Sequence, residues 1–334
     1  LVLVIATACG ASHITRINEQ GEIIEGPYEE GSFGYYGYSK SEAKIANPGY
    51  IYFSGWASFT DSYVVFCYSK NLSEIQSIPG YTGNSTIPID NIRGSVYVAN
   101  ERGGKDYIDV LDLTLGDKYS YEIPVSPLSI TIDQSDASVW FSKTYEGGGL
   151  YKYNEQGEQL YYFPEYDRVT GLSDVTPDGS FWALYRFGQY SEFIIRARKH
   201  SEDGSYNVET NPYGRAREMD VWNQDGSLWL TLEYSELFKV NALGNVVFRY
   251  SGIGYIRSIS VNQNDGSVWL TGYNFDIVHL DADGNELLHF AWFEPYVVEV
   301  AVDSSDNSVV VFSDYDTYGN IQPSSLGEIK AMFR

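Results

Sequence analysis

Few residues of this chain have types and spacing suited to chemistry. The four histidines, His13, His200, His279 and His289, stand in no His-Glu-x-x-His or comparable metal spacing. A general base also needs a partner within hydrogen-bond reach, and no such partner accompanies them in the sequence. Asp281-Ala-Asp-Gly-Asn-Glu286 is rich in oxygen ligands, but it lacks the remaining ligands of a calcium loop and its bidentate Glu at position twelve. It reads as a turn. Ser251-Gly-Ile-Gly254 does not lead from a strand into a helix, so it is no phosphate cradle. The two cysteines, Cys9 and Cys67, make neither a disulfide framework nor a zinc site, though together they are a candidate disulfide. The carboxylates that remain are Asp133, Asp174, Asp220 and Asp303.

Those carboxylates acquire meaning only from the elements that carry them, and the elements repeat. Asp136-Ala-Ser-Val-Trp140, Asp178-Gly-Ser-Phe-Trp182, Asp225-Gly-Ser-Leu-Trp229 and Asp265-Gly-Ser-Val-Trp269 are copies of one pattern. Weaker copies are Pro48-Gly-Tyr-Ile-Tyr52, Arg93-Gly-Ser-Val-Tyr97 and Asp306-Asn-Ser-Val-Val310. Their last positions are separated by 45, 43, 42, 47, 40 and 41 residues, the length that four short antiparallel strands need. An alternating strand a precedes each Asp-Gly turn, and strand b follows it with its aromatic residue. A second hairpin, strands c and d, turns at Asn/Asp-x-x-Gly, as in Lys152-Tyr-Asn-Glu-Gln-Gly-Glu158, Lys239-Val-Asn-Ala-Leu-Gly-Asn245 and His279-Leu-Asp-Ala-Asp-Gly-Asn285. No segment sustains a helical period. The unit predicts an all-β propeller of four-stranded blades, in one domain over residues 1–334.

Both ends fit the template. Arg16-Ile-Asn-Glu-Gln-Gly-Glu22 nearly repeats the hairpin at Lys152, and Leu326-Gly-Glu-Ile-Lys-Ala-Met-Phe-Arg334 resembles the one at Leu243. Val4 precedes Gly21 by 17 residues, as Trp140 precedes Gly157, so the apolar start occupies the place of a b strand. The count is then seven complete repeats over 40–334 plus a partial N-terminal blade over 1–30 with strands b, c and d. Eight blades are slightly favoured over seven. An incomplete blade presents unpaired backbone, so Val2, Leu3, Val4 and Ile5 are candidates for strand complementation with another subunit.

The Asp-Gly-Ser-x-Trp unit with its Asn/Asp-x-x-Gly hairpin resembles the NHL-like propeller repeats, the streptogramin-lyase-like ones among them. The resemblance covers nearly the whole chain and implies the fold. It carries over no site residue, because the histidine site known in the lyase branch has no counterpart here.

Position in the repeat then sorts the candidates. Innermost strands line a propeller's channel, which makes Asp220 a weak metal candidate, while Asp133 and Asp303 read as turn initiators. His279 occupies the position of Arg16, Lys152 and Lys239 and reads as a repeat-position residue. No catalytic or cofactor-binding residue is assigned, and no cofactor is expected. Gly34-Tyr-Tyr-Gly-Tyr38 places Tyr35, Tyr36 and Tyr38 in an exposed contact loop, and Asn71 and Asn84 match the N-glycosylation pattern. The net charge of −23 repels phosphate backbones and anionic lipid, so nucleic acid is not an expected partner. No run is long and apolar enough for a membrane helix. Aromatic content of 16% with 30 Tyr suits pleated, half-buried surfaces. The expected function is a non-enzymatic secreted or cell-surface scaffold that contacts protein, including copies of itself. A carbohydrate or small-ligand binding propeller is the alternative, with a propeller lyase ranked behind it. Leu1 to Cys9 also has the look of a lipoprotein signal end.

Overall fold

The computed structural model describes residues 2–3, 12–30, 42–46, 50–57, 62–69, 71, 74–81, 86–143, 149–164, 168–187, 194–210, 216–232, 235–272, 276–291 and 297–313. All regular elements among them are strands, and they form seven antiparallel blades of four strands, a to d from the centre outward. Blade 1 is Glu42–Ala46, Tyr50–Ala57, Ser62–Tyr68 and Glu74–Tyr81. Blade 2 is Ile89–Asp90, Ser95–Arg102, Lys105–Asp112 and Asp117–Ile123. Blade 3 is Pro127–Asp133, Ser138–Lys143, Gly149–Tyr153 and Gln159–Pro164. Blade 4 is Arg168–Leu172, Phe181–Phe187, Ile194–His200 and Tyr206–Glu209. Blade 5 is Ala216–Trp222, Ser227–Leu232, Glu236–Val240 and Val246–Tyr250. Blade 6 is Ile256–Val261, Val268–Gly272, Asp276–Leu280 and Glu286–Ala291. One pairing, Tyr81 with Asn100, links strand d of blade 1 to strand b of blade 2.

Blade 7 corrects the expected count. Its a and b strands are Val297–Asp303 and Ser308–Ser313, while its c and d strands are Ser12–Ile17 and Ile23–Glu30. The N-terminal hairpin is a c–d hairpin, as its sequence says, but it completes the blade begun by the C-terminal strands. Ser12–Ile17 runs antiparallel to Ser308–Ser313 with Arg16 opposite Val310, just as Lys152 lies opposite Trp140. No separate eighth blade is shown, and residues 12–30 are not strands of a partial one. Val2–Leu3 forms a two-residue strand beside Arg16 and Ile17 rather than a b strand of its own. Val4, Ile5 and the 326–334 hairpin lie outside the described residues. The reason for the miscount is physical. Strand b of blade 7 has an edge that must be paired, and either terminal hairpin satisfies the same spacing.

The core is divided among the blade interfaces. Among the described residues, seven clusters of buried side chains fill seven interfaces, one for each neighbouring pair. The cluster of Ile51, Phe53, Val64, Phe66, Tyr68, Ala301 and Val310 packs blade 7 on blade 1 and closes the ring. The repeat aromatics sit inside these interfaces. Trp140, Trp182, Trp229 and Trp269 are almost fully buried, each packed with residues of the following blade. Burying such side chains contributes roughly 1.5–3 kcal/mol apiece. The Trp182 indole also donates to Gly226 O of the next a–b turn at 3.1 Å.

Candidate functional site

The innermost strands enclose a central channel. Strand a of each blade has no further strand to pair with, so its inner edge must find other partners. Short polar side chains of one blade supply them to the next. Ser129 Oγ accepts from Leu172 N at 3.0 Å, Ser258 Oγ from Val300 N at 3.1 Å and Ser260 Oγ from Val302 N at 3.1 Å. Asp220 follows the same rule with a carboxylate. It accepts from Val221 N at 2.8 Å and, across the blade boundary, from Val261 N at 2.7 Å.

Asp220 also faces charge. Lys44, on strand a of blade 1, reaches Asp174, just past strand a of blade 4, and donates to both carboxylate oxygens at 3.1 Å. Blades 1 and 4 are as far apart around the ring as two of seven blades can be, so this ion pair spans the channel. It separates two spaces. One of about 60 Å³ is lined by Glu218, Glu299 and Ser173, among others. The other, about 350 Å³, opens toward the a–b turns and is lined by Asn91, Gln134, Asn223, Gln263 and Ser304. Lys44, Asp174, Asp220 and Ser260 line both. Burial pushes the Asp220 carboxyl up to about 6, with the Asp174 charge adding to the shift and Lys44 and the two amides opposing it. Asp220 thus lies in the channel as its repeat position predicts. Lys44, Glu218 and Glu299 were missed in the sequence, although they share the strand-a signal that picked out Asp220. Among the described residues no group of three His, Cys, Asp or Glu is placed to hold a metal ion.

The other sequence candidates lie elsewhere. Asp133 and Asp303 cap the a–b turns, each accepting from the backbone N and Oγ of Ser135 or Ser305 at 2.9 and 2.6 Å. Asp281 accepts from Asp283 N and Asn285 N at 2.9 and 2.8 Å, the geometry of a plain turn. His279 pairs with Trp269 across strands b and c and stacks on it with ring centroids 4.2 Å apart. Lys152, Lys199 and Lys239 take the same place opposite Trp140, Trp182 and Trp229, and Lys152 and Lys239 lie over their indoles with Nζ 5.3 Å from the ring centroid. His200 Nδ1 donates to Gly204 O at 2.7 Å, which leaves Nε2 to accept from the Tyr185 hydroxyl at 2.8 Å. Burial lowers both His200 and His279 to about 4. His289 lies between Asp276 and Glu286, at 3.5 and 3.6 Å, on the outer strand of blade 6. Cys67 is a buried free thiol that donates to Leu113 O at 3.4 Å. Asn71 is exposed. Cys9, Tyr35, Tyr36, Tyr38 and Asn84 lie outside the described residues.

The outer rim offers a second kind of surface. The d strand of blade 3 is an edge, and its Leu160, Tyr161 and Tyr162 are 44%, 45% and 43% exposed in succession. Val246 and Val247 on blade 5 and Leu287 on blade 6 are exposed on equivalent strands. No helix among the described residues is long and apolar enough to cross a membrane.

No family model matches the chain, and no curated protein matches it. Among solved structures it is similar to a chain of hydrazine synthase from Kuenenia stuttgartiensis, with a TM-score of 0.64 over 83% of this chain and 95% of that one, at 9% sequence identity. At that identity the likeness concerns the fold alone, and what the chain shares with known proteins is the seven-bladed propeller.

Proposed function

We propose that this propeller is a non-enzymatic scaffold that makes protein–protein contacts, working outside the cell or on its surface. The observation that carries the reading is the outer strand of blade 3, where Leu160, Tyr161 and Tyr162 stand exposed on an unpaired sheet edge. Edge strands recruit further strands through their free backbone groups. Aromatic side chains are enriched where proteins meet, because they bring large contact area at small entropic cost. The acidic, Tyr-rich composition favours an extracellular setting, and fractionation of the native host with an antibody tests it: recovery in the cytosol alone removes that part. Self-association uses this edge, since residues 12–30 already complete blade 7.

Sedimentation of the wild type and of the Leu160→Lys/Tyr162→Lys double variant tests self-association. Concentration-dependent dimers in the wild type alone are expected, and monomers of both at every concentration remove it. Selection from a displayed peptide library tests the scaffold reading itself. Extended apolar peptides that bind the wild type and not the double variant are expected; binding indifferent to the two substitutions sinks the reading.

A further inference from the structure

The channel contains an ammonium already. Lys44 Nζ sits between the oxygens of Asp174, brought there from the opposite side of the ring. Among the described residues, carboxylates nonetheless outnumber it. Of these, Asp174, Glu218, Asp220 and Glu299 line the inner space, with Lys44 as the single Lys or Arg among the described residues there. On the open side, the described lining includes Asp174, Asp220 and Asp303, again with Lys44 as the one such cation among the described residues. Asp303 is committed to its turn and Glu299 accepts from Ser258 Oγ at 2.6 Å. Asp220 is satisfied only by two backbone amides, and removal from water weakens its ionised form. A second cation beside it would restore that lost stabilisation. Asp174 keeps about two fifths of its side chain exposed and Lys44 about a quarter, so both are reachable from the chamber.

The chamber's size and lining narrow the cation. A space of about 350 Å³ falls in the range of small-molecule sites. The described residues lack a cluster of ligands for a metal ion. A primary ammonium suits such a lining, because its three donors can be shared among two carboxylates and a side-chain amide or hydroxyl. Gln134, Ser260 and Ser304 supply such groups on the chamber wall.

We propose that the open chamber of the channel is a binding site for a small organic ligand bearing a primary ammonium, which enters from the a–b-turn mouth and docks on Asp174 and Asp220 beside Lys44. Lys44 acts as an internal competitor for Asp174, so the site is self-occupied until ligand arrives. This goes beyond the scaffold reading and does not depend on it, since the rim and the channel share no residue.

Calorimetric titration with n-butylammonium at near-physiological salt tests the site, with butan-1-ol, tetramethylammonium and calcium as matched controls. Salt suppresses loose association with the acidic surface. Saturable one-to-one binding of n-butylammonium, with none of butan-1-ol and at least tenfold weaker binding of the other two, is the expected result. Asp174→Asn should weaken binding at least tenfold. Lys44→Met, which removes the competitor, should strengthen it by a similar factor, and near-UV circular dichroism checks that each variant keeps its packing. The opposite signs keep the test decisive if one variant does not fold. Absence of saturable binding to both the wild type and Lys44→Met overturns the proposal. Equal binding of calcium or tetramethylammonium, or affinity unchanged by Asp174→Asn, does so as well.

Discussion

Single residues of this propeller pull its acid stability in opposite directions. The Asp220 carboxyl titrates near 6 in the folded protein, raised by burial from 3.8, so the native state holds its proton more tightly than the unfolded chain does. The contribution of this group is therefore most favourable below pH 3.8 and is lost as pH rises through 6, by up to about 3 kcal/mol. His200 and His279, both lowered by burial from 6.5 to about 4, act in the reverse sense. Their contribution is complete above pH 6.5 and is lost as pH falls toward 4. Between pH 4 and 6 Asp220 opposes the two histidines. Urea unfolding as a function of pH should show stability rising with pH more steeply in Asp220→Asn than in the wild type, and less steeply in His279→Gln. Equal slopes in all three proteins would show that burial does not shift these groups. The sequence located Asp220 and His279 by repeat position, but their shifts depend on neighbours from other blades, which no local pattern specifies.

At the scale of the element, the turns hold the blades together as much as they reverse the chain. The Asn/Asp of each c–d turn organises its own loop. Asn154 Oδ1 accepts from Gln156 N and Glu158 N at 3.1 and 2.8 Å, and Asn18 repeats this with Gln20 N and Glu22 N at 3.0 and 2.9 Å. The following glycine presses against the previous blade. Gly157 has φ of +79°, and a Cβ there would lie 2.5 Å from Cβ of Tyr121 on the outer strand of blade 2. Gly103, in the b–c turn of blade 2, has φ of +62° with nothing within 4 Å. Gly103→Ala should then cost only the left-handed backbone penalty, roughly 1–2 kcal/mol. Gly157→Ala should cost clearly more, because the blade interface must also part. Denaturant midpoints for the two variants decide this, and equal losses would show that the close approach is unimportant. At the interface itself, Trp140→Ala should destabilise by roughly 3–5 kcal/mol through the cavity it leaves, and a loss below about 1 kcal/mol in the same measurement would contradict its interface role. Hairpin type, turn chemistry and the buried aromatic were all legible in the sequence, because each is set by a few adjacent residues.

The whole molecule is defined by its closure. Blade 7 takes strands a and b from residues 297–313 and strands c and d from residues 12–30, so the two ends of the described chain are joined through backbone hydrogen bonds as well as through side-chain packing. Removal of residues 1–30 should leave Ser308–Ser313 as an exposed b-strand edge and strip Ile17 from the interface with blade 6. Loss of cooperative thermal unfolding, recovered in part by a synthetic 12–30 peptide added in trans, is the expected outcome. A truncated protein as stable as the full chain would mean that closure does not need this hairpin. By itself the sequence determined the repeating unit, its strands and turns, and the all-β propeller, since period-two alternation, Asp-Gly turns and a fixed repeat length are local properties. Only the tertiary structure decided that the blades number seven and that the N-terminal hairpin belongs to the last of them. It alone set Lys44 against Asp174 across the channel. Spacing along the chain fits a hairpin to any free b strand, and only closing the ring determines which edge receives it and which inward-facing charges meet.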